Sequence, residues 1–235
     1  MKIEASFKGF SKDTLQFYKD LAKNNNRPWF EKNRTIFDKQ VMVEASTFIV
    51  EMGRRLESIA PNIIAVPKTD QSIFRIYRDT RFSKDKRPYK THMAIFLWEG
   101  PYKKLENSGF YFHLEPDKLF LGVGLYLFPN HLLKNYRDAV VHKQYGKSLA
   151  QAIEQVKKKK EYVLGWKQYK KVPRGYDPDH ENAELLIYGG LGFSFESKIP
   201  QEIFSAAALD YCYKKFKDMS PIHVWLREML YRSTL

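Results

Sequence analysis

Three arginines spaced three residues apart, Arg75, Arg78 and Arg81, open the stretch RIYRDTRFSKDKRPYK at residues 75–90, which also holds Asp79, Lys86, Tyr89 and Lys90. Arginine carries five donors in a fixed fork and keeps its proton, so this set can clamp a carboxylate or phosphate but cannot act as a base. Asp79, flanked by arginines, is expected to stay ionised; with Tyr89 it is suited to orienting them, and it is a weak base at neutral pH. Lys86, among other cations, is a candidate amine nucleophile, set against the commoner solvated loop lysine. His92 follows Lys90 by two residues and can exchange a proton with a bound anion if it faces the arginines. A second reading stands beside this one: an Arg-Asp-Arg cluster at the base of a hairpin can be a salt-bridge network that fixes the loop and holds no ligand. Crowded like charges are costly without a counter-anion, and that keeps the anion site open.

Forty Lys plus Arg against 27 Asp plus Glu give a formal net charge of +13. Residues 75–90 contribute +5 and residues 157–174 contribute +7, which leaves +1 for the rest of the chain. In the second segment Lys157, Lys158, Lys159 and Lys160 precede Tyr162, Trp166, Lys167, Tyr169, Lys170, Lys171, Arg174 and Tyr176. Cations interleaved with rings suit the stacking of bases and the neutralising of phosphates. The plainer alternative is a lysine-rich helix C-terminus followed by a strand with buried rings. If the two segments fold side by side they make one basic face. The charge favours an anionic partner, either a phosphate-containing small molecule or nucleic acid, then an acidic protein surface, and it disfavours a cationic one.

Other classes are excluded or left without support. No apolar run reaches the roughly 18 residues that cross a bilayer, and residues 1–10 lack the pattern of a secretory leader, so a cytoplasmic protein is expected. Cys212 is the only cysteine, which rules out an intrachain disulfide and a thiolate cluster; it is expected to pack as a small apolar group. The six histidines form no HxxxH pair, and Asp179, near Asp177 and His180, reads as a helix cap, so no metal is expected. Gly122-Val123-Gly124 lacks the third glycine of a dinucleotide fingerprint and no P-loop occurs, so no cofactor is expected. Gly122 and Gly124 share one strand face, where missing side chains admit a close backbone or a large ring; core packing is the plainer reason.

The elements that must position these residues follow from periodicity. Ser11 caps a helix bearing Leu15, Phe17, Tyr18, Leu21 and Ala22, which stops at Asn24. Pro28 starts a second, long helix whose stripe of Phe37, Val41, Ala45, Phe48, Met52, Leu56 and Ile59 runs to Pro61. Strands are predicted at 73–78, 91–98, 109–115 and 118–126, the last two joined by the turn Glu115-Pro116-Asp117-Lys118, with Phe110, Phe112 and Leu114 on one face. Asn130 caps a helix with Leu133, Tyr136, Val140 and Val141; a further helix covers 148–159; a loop at 171–180 leads into a short helix at 181–188 and a strand at 191–196. Helix 203–217 precedes a last one, which Ser220 caps and Pro221 starts. Residues 1–235 therefore read as one α+β domain: helical at 11–60, strands over 70–126, helices at 130–160, a loop, short helix and strand over 161–197, and helices at 201–231. The expected core is an antiparallel sheet of about four to six strands flanked by the N-terminal and C-terminal helices.

The R-x-x-R-D-x-R-F pattern at 75–82, with Asp85-Lys86 and Pro88-Tyr89 behind it, resembles the signature of a bacterial and fungal family, domain of unknown function 2461. The resemblance extends to Asn24-Asn25-Asn26-Arg27-Pro28-Trp29-Phe30, to Gly122-Val123-Gly124, to Val172-Pro173-Arg174-Gly175-Tyr176 and to the Pro221 helix. That family has no assigned activity, so the resemblance implies no catalytic residues. Three functions stay open. The first is binding of a phosphate-bearing ligand, nucleic acid included, through Arg75, Arg78, Arg81, Lys86 and Lys90. The second is an enzyme on a small phosphorylated or carboxylated substrate, with the arginines as clamp and His92 or Tyr89 moving the proton. The third is a basic module that docks an acidic protein.

Overall fold

A computed structural model describes residues 6–232 of the chain, so half of the 1–10 stretch lies outside the described residues. Helix α1 (Lys12–Lys23) begins where the Ser11 hydroxyl accepts the Thr14 N–H and ends at Asn24. Helix α2 (Arg27–Ile36) begins where the Asn26 side chain accepts the Trp29 N–H, with Pro28 in the first turn, where its missing N–H costs nothing. The long helix expected here is broken by a π-helical turn, Phe37–Val41, before α3 (Met42–Leu56). Met42 N–H reaches back to the Phe37 carbonyl, and the extra residue keeps Val41, Ala45, Phe48, Met52 and Leu56 buried along one stripe.

Five strands, β1 (Met93–Glu99), β2 (Ser108–Leu114), β3 (Lys118–Leu125), β4 (Val163–Lys167) and β5 (Tyr188–Lys198), form one antiparallel sheet in the order β1-β2-β3-β5-β4. The β2–β3 turn closes with Glu115 N–H on the Lys118 carbonyl at 2.9 Å. Residues 73–78 are not a strand. They lie on the free edge of β1 only at the Ile73–Ile95 bridge, then turn away and pair with their own continuation, Arg78 N–H to Pro88 O and Lys90 N–H to Ile76 O, both 2.8 Å. Pro88 has no N–H to extend that ladder. β4 appears where the plainer reading of the lysine-rich segment put a strand, and β5 is longer than 191–196.

Helices α4 (Asn130–Val141), α5 (Lys143–Lys157) and α6 (Ala207–Arg232) complete the chain. Asn130 is the first residue of α4 and caps nothing; Pro129 precedes it. α5 starts earlier than 148, because the His142 imidazole accepts the N–H groups of Gln144 and Tyr145. Residues 183–187 form a 3-10 turn, and the Asp177 carboxylate, not that of Asp179, accepts a backbone N–H in the loop before it. The two C-terminal helices are one. Pro221 cannot donate to the Lys217 carbonyl, but the Ser220 hydroxyl does so at 2.8 Å, and the helix continues through the proline. Among the described residues no helix is long and apolar enough to cross a membrane.

One face of the sheet packs on α3 and α6. Phe112 meets Phe10 and Phe48 at 5.0 and 4.8 Å, and Phe110 meets Phe216 at 5.5 Å. Beside this core Glu99, fully buried, accepts from His223 Nε2 and Arg227 at 3.2 Å each and from the Asn62 N–H at 2.8 Å. Ser108 Oγ meets His223 Nδ1 at 3.0 Å, so every polar group in the set has a partner. Among the described residues no α-helix contributes a side chain over the middle of the other face, where the short 3-10 turn Lys104–Glu106 places Leu105 and Glu106.

Candidate ligand cavity on the open sheet face

The uncovered face has a floor of glycines. Across the register Trp98 pairs with Gly109, Gly109 with Gly124, Gly124 with Gly192 and Gly192 with Gly165, so one row crosses all five strands almost without side chains. Residues paired in this way point to the same face. The Phe96 ring lies over Gly109 and the Trp166 ring over Gly192. Trp166 gets there through a bulge between Gly165 and Lys167 that holds it at φ +81°, a conformation that costs a bulky residue free energy and re-aims its ring. Between those two rings, above Gly122 and Gly124, lies a cavity of about 550 Å³. Its walls are Phe74, Phe96, Tyr111, Phe120, Tyr126 and Trp166. Tyr126 is 73% exposed and Leu127 51%, far more than apolar side chains need be beside an available core.

Cations gather at the Phe74 end. Lys104 Nζ stands 4.1 Å from the Phe74 ring centre and Lys90 Nζ 5.5 Å from it. Lys104 also donates to the Gln71 carbonyl and Lys90 to the Arg75 carbonyl. Burial pulls the Lys104 ammonium down to about 8, with Asp70 opposing and Lys90 adding to the shift; Lys90 is lowered too, by burial and then by Arg75. Two lysines that shift this way would be relieved by an anion between them. Glu106 is the acidic residue in the lining.

Past Tyr111 on the same face of β2 lies His113, and Glu115 follows just beyond the end of the strand. Tyr111 Oη meets His113 Nδ1 at 2.9 Å, and His113 Nε2 meets Glu115 Oε1 at 2.8 Å. The His92 ring stacks on His113 with centres 4.1 Å apart. Burial lowers His92 to about 3, helped by His113 and Lys90. Burial also lowers His113, against the pull of Glu115, and it raises Tyr111 to about 12.

The arginine segment has a different arrangement from the clamp its spacing suggested. Asp79 takes Arg81 in a two-pronged pair, and Asp85 takes both Arg78 and Arg87, each closest contact being 2.7 Å. The Arg81 and Arg87 guanidinium groups hold Asp79 and Asp85 far below the usual carboxylate range. Lys86 donates to the Thr80 carbonyl at 2.9 Å. Arg75 is exposed. Tyr89 does not orient the arginines: it is 2% exposed, its ring stacks on Phe30 at 4.4 Å, and its backbone N–H and C=O are both bonded to the Asn25 amide. Those bonds tie the Asn24-Asn25-Asn26 turn to the RxxRDxRF loop, which explains why two distant sequence patterns go together. Of the residues proposed in this segment, Lys90 lies 5.5 Å from the ring of the cavity residue Phe74, and His92 joins the His113 cluster.

The second basic segment lies elsewhere. Lys167 pairs with Glu184 at 2.5 Å, while Lys170, Lys171 and Arg174 are exposed in the loop that follows β4. Residues 75–90 sit beside β1 and residues 163–174 run through and beyond β4, the two edges of the sheet. Four strand spacings separate them, roughly 19 Å. They border the open face from opposite sides and do not fold side by side. Phe74, Tyr111 and Lys104 carried no sequence signal of their own, whereas Trp166 belonged to the ring-and-cation segment and Gly122 and Gly124 to the strand face open to a large ring.

A helix-backed antiparallel sheet whose free face carries a cavity walled by aromatic side chains defines an α+β protein. The family described as a conserved hypothetical protein, DUF2461, matches residues 13–225, and the chain belongs to that family. No curated protein and no solved structure matches it.

Proposed function

We propose that the protein binds a small, flat, largely apolar molecule bearing one anionic group, a phosphate or a carboxylate. Its ring lies over Gly122 and Gly124, and its anion faces Lys90 and Lys104. The cavity above the glycine floor is the observation that carries this reading: backbone offers a ring a flat surface, six aromatic side chains wall it, and its size falls within the range of ligand pockets. The anion preference expected from the charge count is kept, but its contacts move from the arginine loop, where Arg78, Arg81 and Arg87 have carboxylates of their own, to the two lysines at Phe74.

Anilinonaphthalenesulfonate, a dye with a flat naphthalene ring and one negative charge, is a suitable probe, and N-phenyl-1-naphthylamine is its neutral counterpart. Both are expected to bind one per chain and to brighten. Lys104→Gln should weaken the anionic dye by roughly tenfold, the worth of a charge-assisted contact, and leave the neutral dye unchanged. Equal loss of both dyes, or no saturable binding of either, overturns the reading. Competition by a single-stranded oligonucleotide with a steep salt dependence would instead favour nucleic acid as the occupant.

A further inference from the structure

The geometry points to a metal site formed by His92, His113 and Glu115, taking a divalent ion of intermediate softness such as Zn²⁺ through two imidazole nitrogens and one carboxylate oxygen. One donor atom from each of the three lies within 4.8 Å of the other two. The sequence hides this grouping, since no pair of histidines has helical spacing, but the sheet produces it. His113 is on the open face of β2, Glu115 follows the last residue of that strand, and β1 runs antiparallel with Met93 opposite Leu114 and Ala94 opposite His113. One further step in that register sets His92 opposite Glu115.

The ligand types and their support both fit. Two histidines and a carboxylate are a recurrent zinc set that leaves a fourth position for water or for a donor atom of another molecule. His113 Nε2 and Glu115 Oε1, now 2.8 Å apart, would part by roughly 0.6 Å to span an edge of a tetrahedron with bonds near 2.1 Å. Glu115 is at the mouth of the β2–β3 turn with about a third of its side chain exposed, so it has room to move. With the metal on Nε2, His113 carries its proton on Nδ1 and donates it to Tyr111 Oη, already 2.9 Å away; an outer partner of that kind fixes the tautomer and the ring of a ligating histidine. Tyr111 also walls the cavity, so its hydroxyl would link the ion's ligand His113 to the cavity wall. Lys90 bonds the Arg75 carbonyl, and Lys118 pairs with Glu196 at 3.3 Å while also feeling the Glu115 charge, so neither makes an ion pair with Glu115.

Zinc chloride is the probe, titrated calorimetrically into the full chain near neutral pH. One saturable site per chain is expected. Glu115→Gln, which keeps the shape and a hydrogen bond to His113, and His92→Ala should each weaken it by at least tenfold. Tyr111→Phe should weaken it by roughly 10- to 100-fold, as loss of an outer partner does. His180→Ala, close to the rival carboxylates Asp177 and Asp179, should change nothing. Thermal melts of the metal-free variants establish that each is folded. Absence of a saturable site, or a site indifferent to Glu115→Gln and His92→Ala, overturns the proposal. The titration needs no cavity ligand, so this inference and the dye-binding reading can fail separately.

Discussion

Gly122 separates the cavity from the fold that contains it. A Cβ at Gly122 would meet Phe120 Cε1 at 3.5 Å, Tyr111 Cβ at 3.7 Å and the Phe193 carbonyl at 3.8 Å, all ordinary contacts. Gly124 differs. It holds φ at +141°, and a Cβ there would run into the Leu191 carbonyl. Gly122→Val therefore places three carbons in the cavity without displacing backbone, while Gly124→Val should damage the sheet. Valine suits a strand and narrows the unfolded ensemble, so Gly122→Val should shift stability by no more than about 1 kcal/mol, toward greater stability, which is about 2–4 °C in Tm for a chain of this size. Three carbons standing where a ring would lie remove burial worth about 2 kcal/mol, roughly a 30-fold rise in Kd for both naphthalene dyes. Fluorescence titration gives the Kd, and a thermal melt run on the same preparation gives the Tm. A folded Gly122→Val that binds either dye as tightly as the wild type would refute the floor-and-wall account.

Two further outcomes follow from other parts of the molecule. Glu99 is held near 2 although burial alone would raise it, because His223, Asn62 and Arg227 donate to it. Its stabilising effect is full above its ordinary value of 4.5 and is lost as pH falls from there toward 2, a span worth roughly 3 kcal/mol. His223, kept neutral by burial, acts in the same direction and begins to cost stability below its ordinary 6.5. Melting temperature should thus decline on acidification, and Glu99→Gln, less stable at pH 7, should show a flatter decline between pH 4.5 and 2; parallel wild-type and variant curves would contradict this. Asn25→Ala should cost about 2 kcal/mol in a urea titration, since it frees both backbone groups of Tyr89, and it should also weaken the anionic dye by loosening the segment that carries Lys90; an unchanged midpoint would show that water replaces the amide.

Local signals in the chain were reliable where neighbours in sequence are neighbours in space. The Ser11 cap, Pro28, and the turn from Glu115 to Lys118 each depend on contacts within four residues, and all three occupy the predicted places. The alternation of Phe110, Phe112 and Leu114 was legible as a core face, and it implied that Tyr111 and His113 share the opposite one. Longer-range facts were not legible. Nothing in the order of residues says that Asn25 reaches Tyr89, 64 positions away, or that Ser220 repairs the helix Pro221 would otherwise break. The same limit applies to the site. The arginines drew attention because their charge is dense in sequence, yet their loop contains the carboxylates that occupy Arg78 and Arg81. The glycine row is spread over four strands and becomes visible only when the register aligns Gly109, Gly124, Gly192 and Gly165.

Glycine is also the best reporter on the central claim. The chain has twelve glycines, among them Gly109, Gly122, Gly124 and Gly192 in the floor and Gly9, Gly53 and Gly175 well away from it. We would label glycine nitrogen selectively, assign the resonances by substitution, and add the anionic dye stepwise in an NMR titration. Saturable shifts concentrated at Gly109, Gly122 and Gly124, with Gly9 and Gly53 unmoved, are the predicted result. Dye binding that leaves the floor glycines unmoved would contradict it and place the ligand elsewhere.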